Sequence, residues 1–263
     1  MISISEKVID ETCVLKEISV TPKNRGYVGL GGKFFQREEI MEGGRKMSET
    51  TSIISIGREF GSGGRQIGEE LAKKLGIKYY DKELLDHAAE HSGLCKELFE
   101  NHDEKPTNSF LYSLVMDSYS LGYSAAGFTE MPMNHKVFLA QFETIRHLAE
   151  EGPCVMVGRC ADYALADNPN LFSVFIHAGL DSRIARISAK YLKSPKESRD
   201  AIQKMDKSRS SYYNYYTNKK WGSAQSYDLC IDSSKLGIDG SVDTIICALK
   251  IFEEKKNAGK TDK

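Results

Sequence analysis

No run of eighteen apolar residues occurs anywhere in the chain, and no basic segment leads into a shorter one. The first absence argues against a membrane-spanning helix, and the second against a secretory leader. The six cysteines, at 13, 95, 154, 160, 230 and 247, form no CxxC pair and no regular spacing. Cys154, Cys230 and Cys247 fall in apolar runs and read as buried free thiols, which suits a reducing cytoplasm. Net charge is lacking as well. With 36 Lys and Arg against 37 Asp and Glu, no overall field favours nucleic acid or an anionic membrane. His87 and His91 stand four apart but not in an HExxH arrangement, so they read as two exposed helix histidines rather than metal ligands.

What is present is a core-sized chain of 263 residues, organised around residues 51–81. Ile53, Ile54 and Ile56 make a β-branched run that favours a buried strand. Gly57-Arg58-Glu59-Phe60-Gly61-Ser62-Gly63-Gly64-Arg65 follows at once. Ile67, Leu71, Ala72 and Leu75 then repeat as one helix face. A strand, a glycine-rich turn and a helix N-terminus together form an anion cradle, because backbone N–H groups converge where the helix carries partial positive charge. A plain βα connection can share the pattern, but four glycines and two arginines in nine residues favour phosphate.

The spelling departs from G-x-x-x-x-G-K-[ST]. With Gly63 on the final glycine, Arg58 stands at the first glycine and Gly64 at the phosphate lysine. Arg65 then falls where a magnesium-binding Ser or Thr belongs, with Gln66 next to it. The nearest cations are Arg58 and Arg65, and an arginine can clamp phosphate in bidentate fashion. Arg65 with Arg58 in support is therefore expected to replace the missing lysine.

Further along, Ile77–Tyr80 reads as a short strand, with Asp81 capping the helix after it. Residues 92–135 are weakly patterned, with a helix suggested by Phe110, Leu111, Leu114 and Val115. Asn134 is placed to cap a helix carrying Val137, Phe138, Phe142, Ile145 and Leu148. Cys154–Val157 and Leu171–Ile176 are continuous apolar strands of the parallel, buried type, and Gly158-Arg159 falls at a carboxyl end, where open α/β sheets place ligands. Asp181 is expected to cap the helix containing Arg183 and Arg186. Ser194-Pro195 interrupts it, and a basic segment leads to Tyr212, Tyr213, Tyr215 and Tyr216. From Arg183 to Lys220 there are eleven basic and three acidic residues, which suits a polyphosphate or a solvated helix face. Tyr227–Asp232 reads as the last strand, Gly240–Phe252 as a closing helix, and Glu253–Lys263 as a frayed charged tail. The alternation of strands and helices gives an α/β fold with a mostly parallel sheet covered on both faces. Residues 1–50 read as a flexible or hairpin-like extension of unknown role, with a glycine-rich stretch at 26–32.

The stretch from Ile56 to Asp81, together with Gly158-Arg159-Cys160-Ala161-Asp162, resembles the cytidylate kinase-like proteins, a branch of the nucleoside monophosphate kinases. The resemblance covers roughly residues 51–252. It implies a P-loop kinase-type three-layer fold, an acceptor-binding insertion at about 92–135 and a lid at about 193–220. It also implies ATP as donor with Mg2+, and transfer to a nucleoside monophosphate such as CMP or dCMP. The phosphate loop would comprise Gly57, Gly61, Ser62, Gly63, Gly64, Arg65 and Gln66. Asp81, Arg159 and Asp162 would face the acceptor. Lys204, Asp206, Arg209 and Tyr213 would belong to the lid, with Arg58, Arg65, Arg186 and Arg209 as catalytic cations. Partners are then a nucleotide or another small phosphorylated molecule, neither nucleic acid nor membrane. A non-catalytic nucleotide-binding protein on the same scaffold, and a kinase for another small phosphate or hydroxyl compound, are the alternatives.

Overall fold

The computed structural model describes residues 2–10, 13–20, 50–81 and 133–261. The chain divides into two units, Met1–Glu49 and Thr50–Lys263. In the first, β1 (Ile2–Asp10) and β2 (Cys13–Val20) pair antiparallel as a hairpin, with an irregularity between Val8 and Asp10. The glycine-rich stretch at 26–32 lies outside the described residues. So do His87, His91 and all of the expected insertion before Met133.

The second unit is built on a parallel sheet of β3 (Ile53–Arg58), β4 (Lys78–Tyr80), β5 (Cys154–Val157), β6 (Leu171–His177) and β7 (Leu229–Asp232). Their spatial order is β4-β5-β3-β6-β7. The apolar runs read from the sequence become these strands because both faces are covered. One face meets α1 (Gly64–Leu75) and α6 (Ser233–Thr261) through Ile67, Leu71, Val242, Ile245 and Leu249. The other meets α2 (Met133–Glu150) and α3 (Ala161–Ala164) through Ile145, Leu148, Ala161 and Ala164. α4 (Leu180–Tyr191) and α5 (Pro195–Thr217) complete the described α-helices, and a short 3-10 turn spans Ala224–Ser226. Strand order places β3 at the centre, so its carboxyl end opens between β5 and β6. This is the crevice where ligands of open α/β sheets bind.

Several local expectations need correction. Ser194-Pro195 does not merely interrupt; it starts α5. Ser194 is the N-cap, its hydroxyl accepts from the Glu197 N–H at 3.3 Å, and Glu197 returns a bond to the Ser194 N–H at 2.9 Å. Pro195 occupies the first turn, where its missing N–H costs nothing. The basic segment is thus one helix of 23 residues. Asp181 lies inside the first turn of α4, and Gly179 is the N-cap. Asn134 likewise lies inside α2.

The closing helix expected over Gly240–Phe252 runs further in both directions. α6 continues to Thr261, with a break at Gly237 where φ is 68°. The Glu253 carboxylate accepts hydrogen bonds from the hydroxyls of Thr50, at 2.6 Å, and Ser52, at 2.7 Å, which ties this helix to the residues before β3. Of the three cysteines read as buried, only Cys154 is; Cys230 is half-buried and Cys247 is exposed on α6. Burial pushes the Cys154 thiol up to about 12, which keeps it protonated and unreactive.

Candidate active site

The loop between β3 and α1 is shaped by left-handed glycines. Gly61 has φ 82° and Gly63 φ 85°, a region L side chains rarely enter. Ser62 is buried and fully engaged. Its hydroxyl donates to Glu59 O at 2.9 Å and accepts from the Gly64 N–H at 3.3 Å. From the far side Ser233 donates its hydroxyl to Ser62 O. Gly63 is the N-cap of α1 and offers no side-chain cap, and no acidic residue lies in the first turn. Among the described residues, the amides of Gly63, Arg65 and Gln66 have no hydrogen-bond acceptor. An uncapped helix start with converging N–H groups is set up for an anion.

The arginines divide into separate groups. Arg186 reaches from α4 onto the loop, donating to Gly61 O at 2.5 Å. Its guanidinium also lies 3.5 Å from the point a Gly63 Cβ would occupy. Arg65, half-exposed, turns instead to Asp81 at the end of β4 and forms an ion pair with it. Arg159, buried, meets the same carboxylate from the end of β5, with Nη1 3.2 Å from Asp81 Oδ1 and 3.2 Å from Val157 O. Arg65, Asp81 and Arg159 therefore form one cluster, with the carboxylate held between two guanidiniums. Arg58 and Arg209 line a cavity at the carboxyl ends of β3 and β5.

Arg58 also explains Gly64. A Cβ on Gly64 would lie 2.6 Å from Arg58 Cβ and 3.2 Å from its Cγ. The Arg58 stem fills the space at the position where the usual loop carries lysine.

The turn after β5 is strained. Gly158, Arg159 and Cys160 have successive φ values of 80°, 54° and 56°. Two adjacent non-glycine residues in the left-handed region are costly and cluster at functional sites. The turn aims the Arg159 side chain at Asp81 and starts α3, which carries Asp162.

Asp162 is buried. It accepts from the Tyr213 hydroxyl at 2.6 Å, and Lys219 Nζ stands 3.9 Å away. Burial raises its pKa, opposed by the Tyr213 bond and the Lys219 charge. Burial, then the Asp162 charge, push Tyr213 and Tyr227 upward too. The same cavity is lined by Ser55, Asp162, Tyr213 and Tyr227. The hydroxyls of Ser55 and Tyr227 are buried with no hydrogen-bond partner among the described residues. Its lining thus offers hydroxyls and a carboxylate together with Arg58, Arg159 and Arg209.

This gives a pH prediction. An acid whose folded pKa lies above its unfolded value binds its proton more tightly when folded. Its contribution to stability is full below the unfolded value of 3.8 and is lost as pH rises through the folded value. In Asp162→Asn the amide oxygen still accepts from Tyr213 but no longer ionises. The melting temperature of that variant is expected to gain on wild type as pH rises from about 4 to about 7. Parallel melting curves across that range would show that Asp162 does not titrate in this way.

Lys204 is exposed on α5 and makes no ion pair among the described residues. Gln66 is exposed in the first turn of α1. Sequence reading missed the buried hydroxyls of Ser55 and Tyr227 and the loop contacts of Glu59 and Asp206. A serine inside an isoleucine run was the one signal for the first. Among the described residues no cluster of three His, Cys, Asp or Glu side chains is placed to hold a metal, and no helix is long and apolar enough to cross a membrane.

The model of the cytidylate kinase-like family matches residues 53–235, well over half of the chain. Among solved structures, an uncharacterized protein from Eubacterium ventriosum is 31% identical, covering 76% of this chain and 98% of that one, with a TM-score of 0.55. A shikimate kinase from Bacteroides thetaiotaomicron is 16% identical over 76% of this chain and 98% of that one, with a TM-score of 0.45. A gluconokinase from Sinorhizobium meliloti is 12% identical over 80% of this chain and 98% of that one, with a TM-score of 0.43. No curated protein matches. On the extent of the family match, the chain belongs to the cytidylate kinase-like family.

Proposed function

We propose that the protein transfers the terminal phosphoryl group of ATP to a small phosphorylated acceptor, a nucleoside monophosphate such as CMP or dCMP. The observation that carries this reading is the uncapped N-terminus of α1 with Arg186 laid on its loop. The donor phosphates take the loop amides and Arg186. The acceptor phosphate takes Arg159 and Arg65, whose guanidiniums already gather round a carboxylate. Phosphoryl transfer asks the protein mainly for positioning and positive charge around the moving group. An acceptor phosphate oxygen is already ionised, so the attack needs no protein base.

Magnesium fits this loop poorly. Ser62 is engaged on both sides, and Gln66 offers only an amide oxygen. An ion arriving with the triphosphate would draw its ligands from phosphate and water.

Incubating the protein with Mg-ATP and each ribo- and deoxyribonucleoside monophosphate tests the reading through diphosphate formation. No diphosphate from folded protein would overturn it. Replacing Arg186 by alanine should weaken ATP binding by about 1.5–3 kcal/mol, the range for a hydrogen bond to a charged group. Adenosine binding should change little. Equal ATP affinity in the two proteins would move the clamping role to another arginine.

A second reading, a nucleotide-binding protein without turnover, is favoured by Gly64 and Arg65 at the two positions where the usual loop carries lysine and Ser or Thr. Tight ATP binding in calorimetry without product would support it, and multiple turnovers would reject it.

A further inference from the structure

The resemblance puts Asp206 and Arg209 in a lid that reaches for substrate. Each of them instead contacts the protein's own loop. Asp206 Oδ1 accepts from the backbone N–H of Phe60 at 2.8 Å. Its Oδ2 accepts from Arg183 Nη1 at 2.5 Å. Arg183 is buried, and its Nε lies 3.5 Å from Glu59 Oε2. Glu59 in turn accepts from the Ala178 N–H at 3.0 Å. One helical turn beyond Asp206, Arg209 Nη1 stands 3.4 Å from Arg58 O, and its guanidinium lies over the Phe60 ring at 5.8 Å. Residues 206 and 209 lie three apart on α5 and share a face. They grip the loop backbone on either side of Glu59.

We infer that Asp206 is a positioning residue: it clasps the phosphate loop to α5 through the Phe60 N–H and holds the loop in its anion-binding shape. Asp206 makes two contacts, and only one of them is to the loop. Asparagine keeps an oxygen for the Phe60 N–H but loses the ion pair with Arg183. Alanine loses both. A simple electrostatic role predicts the opposite sign. Removing a negative charge near an anion site strengthens anion binding, whereas releasing the clasp weakens it.

The test has two arms. The first is calorimetric titration with inorganic tripolyphosphate at a temperature well below melting. Asp206→Ala is expected to weaken binding by about tenfold or more, the loss of one charge-assisted hydrogen bond. Asp206→Asn is expected to bind as tightly as wild type or tighter. Tighter binding by the alanine variant, or an asparagine variant as weak as alanine, would overturn the assignment. This arm rests on the donor-site reading above, since wild type must itself bind tripolyphosphate.

The second arm does not depend on that reading. Amide hydrogen exchange of the free protein is followed in a peptide covering residues 58–64 and in one covering β6. Asp206→Ala should speed exchange in the loop peptide alone, and Asp206→Asn should leave both unchanged. Unchanged loop exchange in the alanine variant, or equal acceleration in β6, would overturn the clasp even if tripolyphosphate does not bind. Wild type that fails to bind tripolyphosphate, with the exchange result intact, would sink the donor-site reading and leave the clasp standing.

Discussion

Replacing Gly64 with lysine, which restores the usual phosphate-loop spelling at that position, is expected to damage the loop rather than complete it. The reason is the position of Arg58. Its Cβ would sit 2.6 Å from the new Cβ, and the Ile176 Cβ would be 3.4 Å away. A Cβ is fixed by the backbone, so Arg58 cannot swing aside at that atom. Relief has to come from β3 or from the first turn of α1. Forcing an extra side chain into a packed site costs roughly 1–3 kcal/mol, and here the strain falls on the backbone that holds the amides in place. Gly64→Lys should therefore melt lower than wild type and lose tripolyphosphate affinity despite its added positive charge.

The double change Arg58→Gly with Gly64→Lys should recover part of both, because it clears the stem and returns the cation to the usual side of the loop. The two positions are in contact, so a non-additive result is the expected one. If Gly64→Lys alone melts and binds like wild type, the Arg58 stem is not the obstacle. The motif would then tolerate lysine as it stands.

That exchange between positions 58 and 64 shows what one-dimensional reading reaches. Both departures from the usual motif were visible as letters. That they are linked was not, because the residues meet only when the loop folds back on β3. The strand, loop and helix at 53–75 were legible because β-branched residues, glycines and a helical apolar repeat each enforce local structure. The parallel strands at 154–157 and 171–176 were legible for the same reason, since a strand buried on both faces is apolar throughout.

The start of α5 was also encoded locally. Ser194-Pro195-Lys196-Glu197 is a capping box with proline in the first turn, and reading Ser194-Pro195 as an interruption overlooked it. The role of Asp206 was hidden by a different cause. Its partners, Phe60 N–H and Arg183, lie 146 and 23 residues away in sequence. A polar residue in a polar helix carries no mark of such a contact. Asp162 was found as an acidic residue near Arg159, but its burial beside Tyr213 depends on how the last turns of α5 meet α3.

Those last turns separate a lid from a core element, and Tyr216 is the residue that decides. Tyr212, Tyr213 and Tyr216 follow helical spacing, and all three are buried. The Tyr216 ring stacks on Phe138 of α2 with centroids 4.0 Å apart and planes 9° apart, and Tyr212 lies 4.8 Å away. Trp221, the only tryptophan, packs beside the same cluster, edge-on to Phe175 of β6 at 5.2 Å. Truncating Tyr216 to alanine opens a cavity inside this group, and large aromatic truncations in cores cost about 3–5 kcal/mol. Against a domain stability of roughly 5–15 kcal/mol, that is a large fraction. If the C-terminal half of α5 is part of the core, urea unfolding should move to lower denaturant as one transition. Trp221 fluorescence and far-ultraviolet circular dichroism should then give the same midpoint. A lid that opens independently would behave otherwise: fluorescence would shift early while the dichroism midpoint stayed at its wild-type value. The half-buried neighbour Tyr215, truncated in the same way, serves as the comparison and is expected to cost less. Coincident, strongly lowered midpoints for Tyr216→Ala would confine any lid movement to the turns of α5 before Tyr212, the turns that carry Asp206 and Arg209.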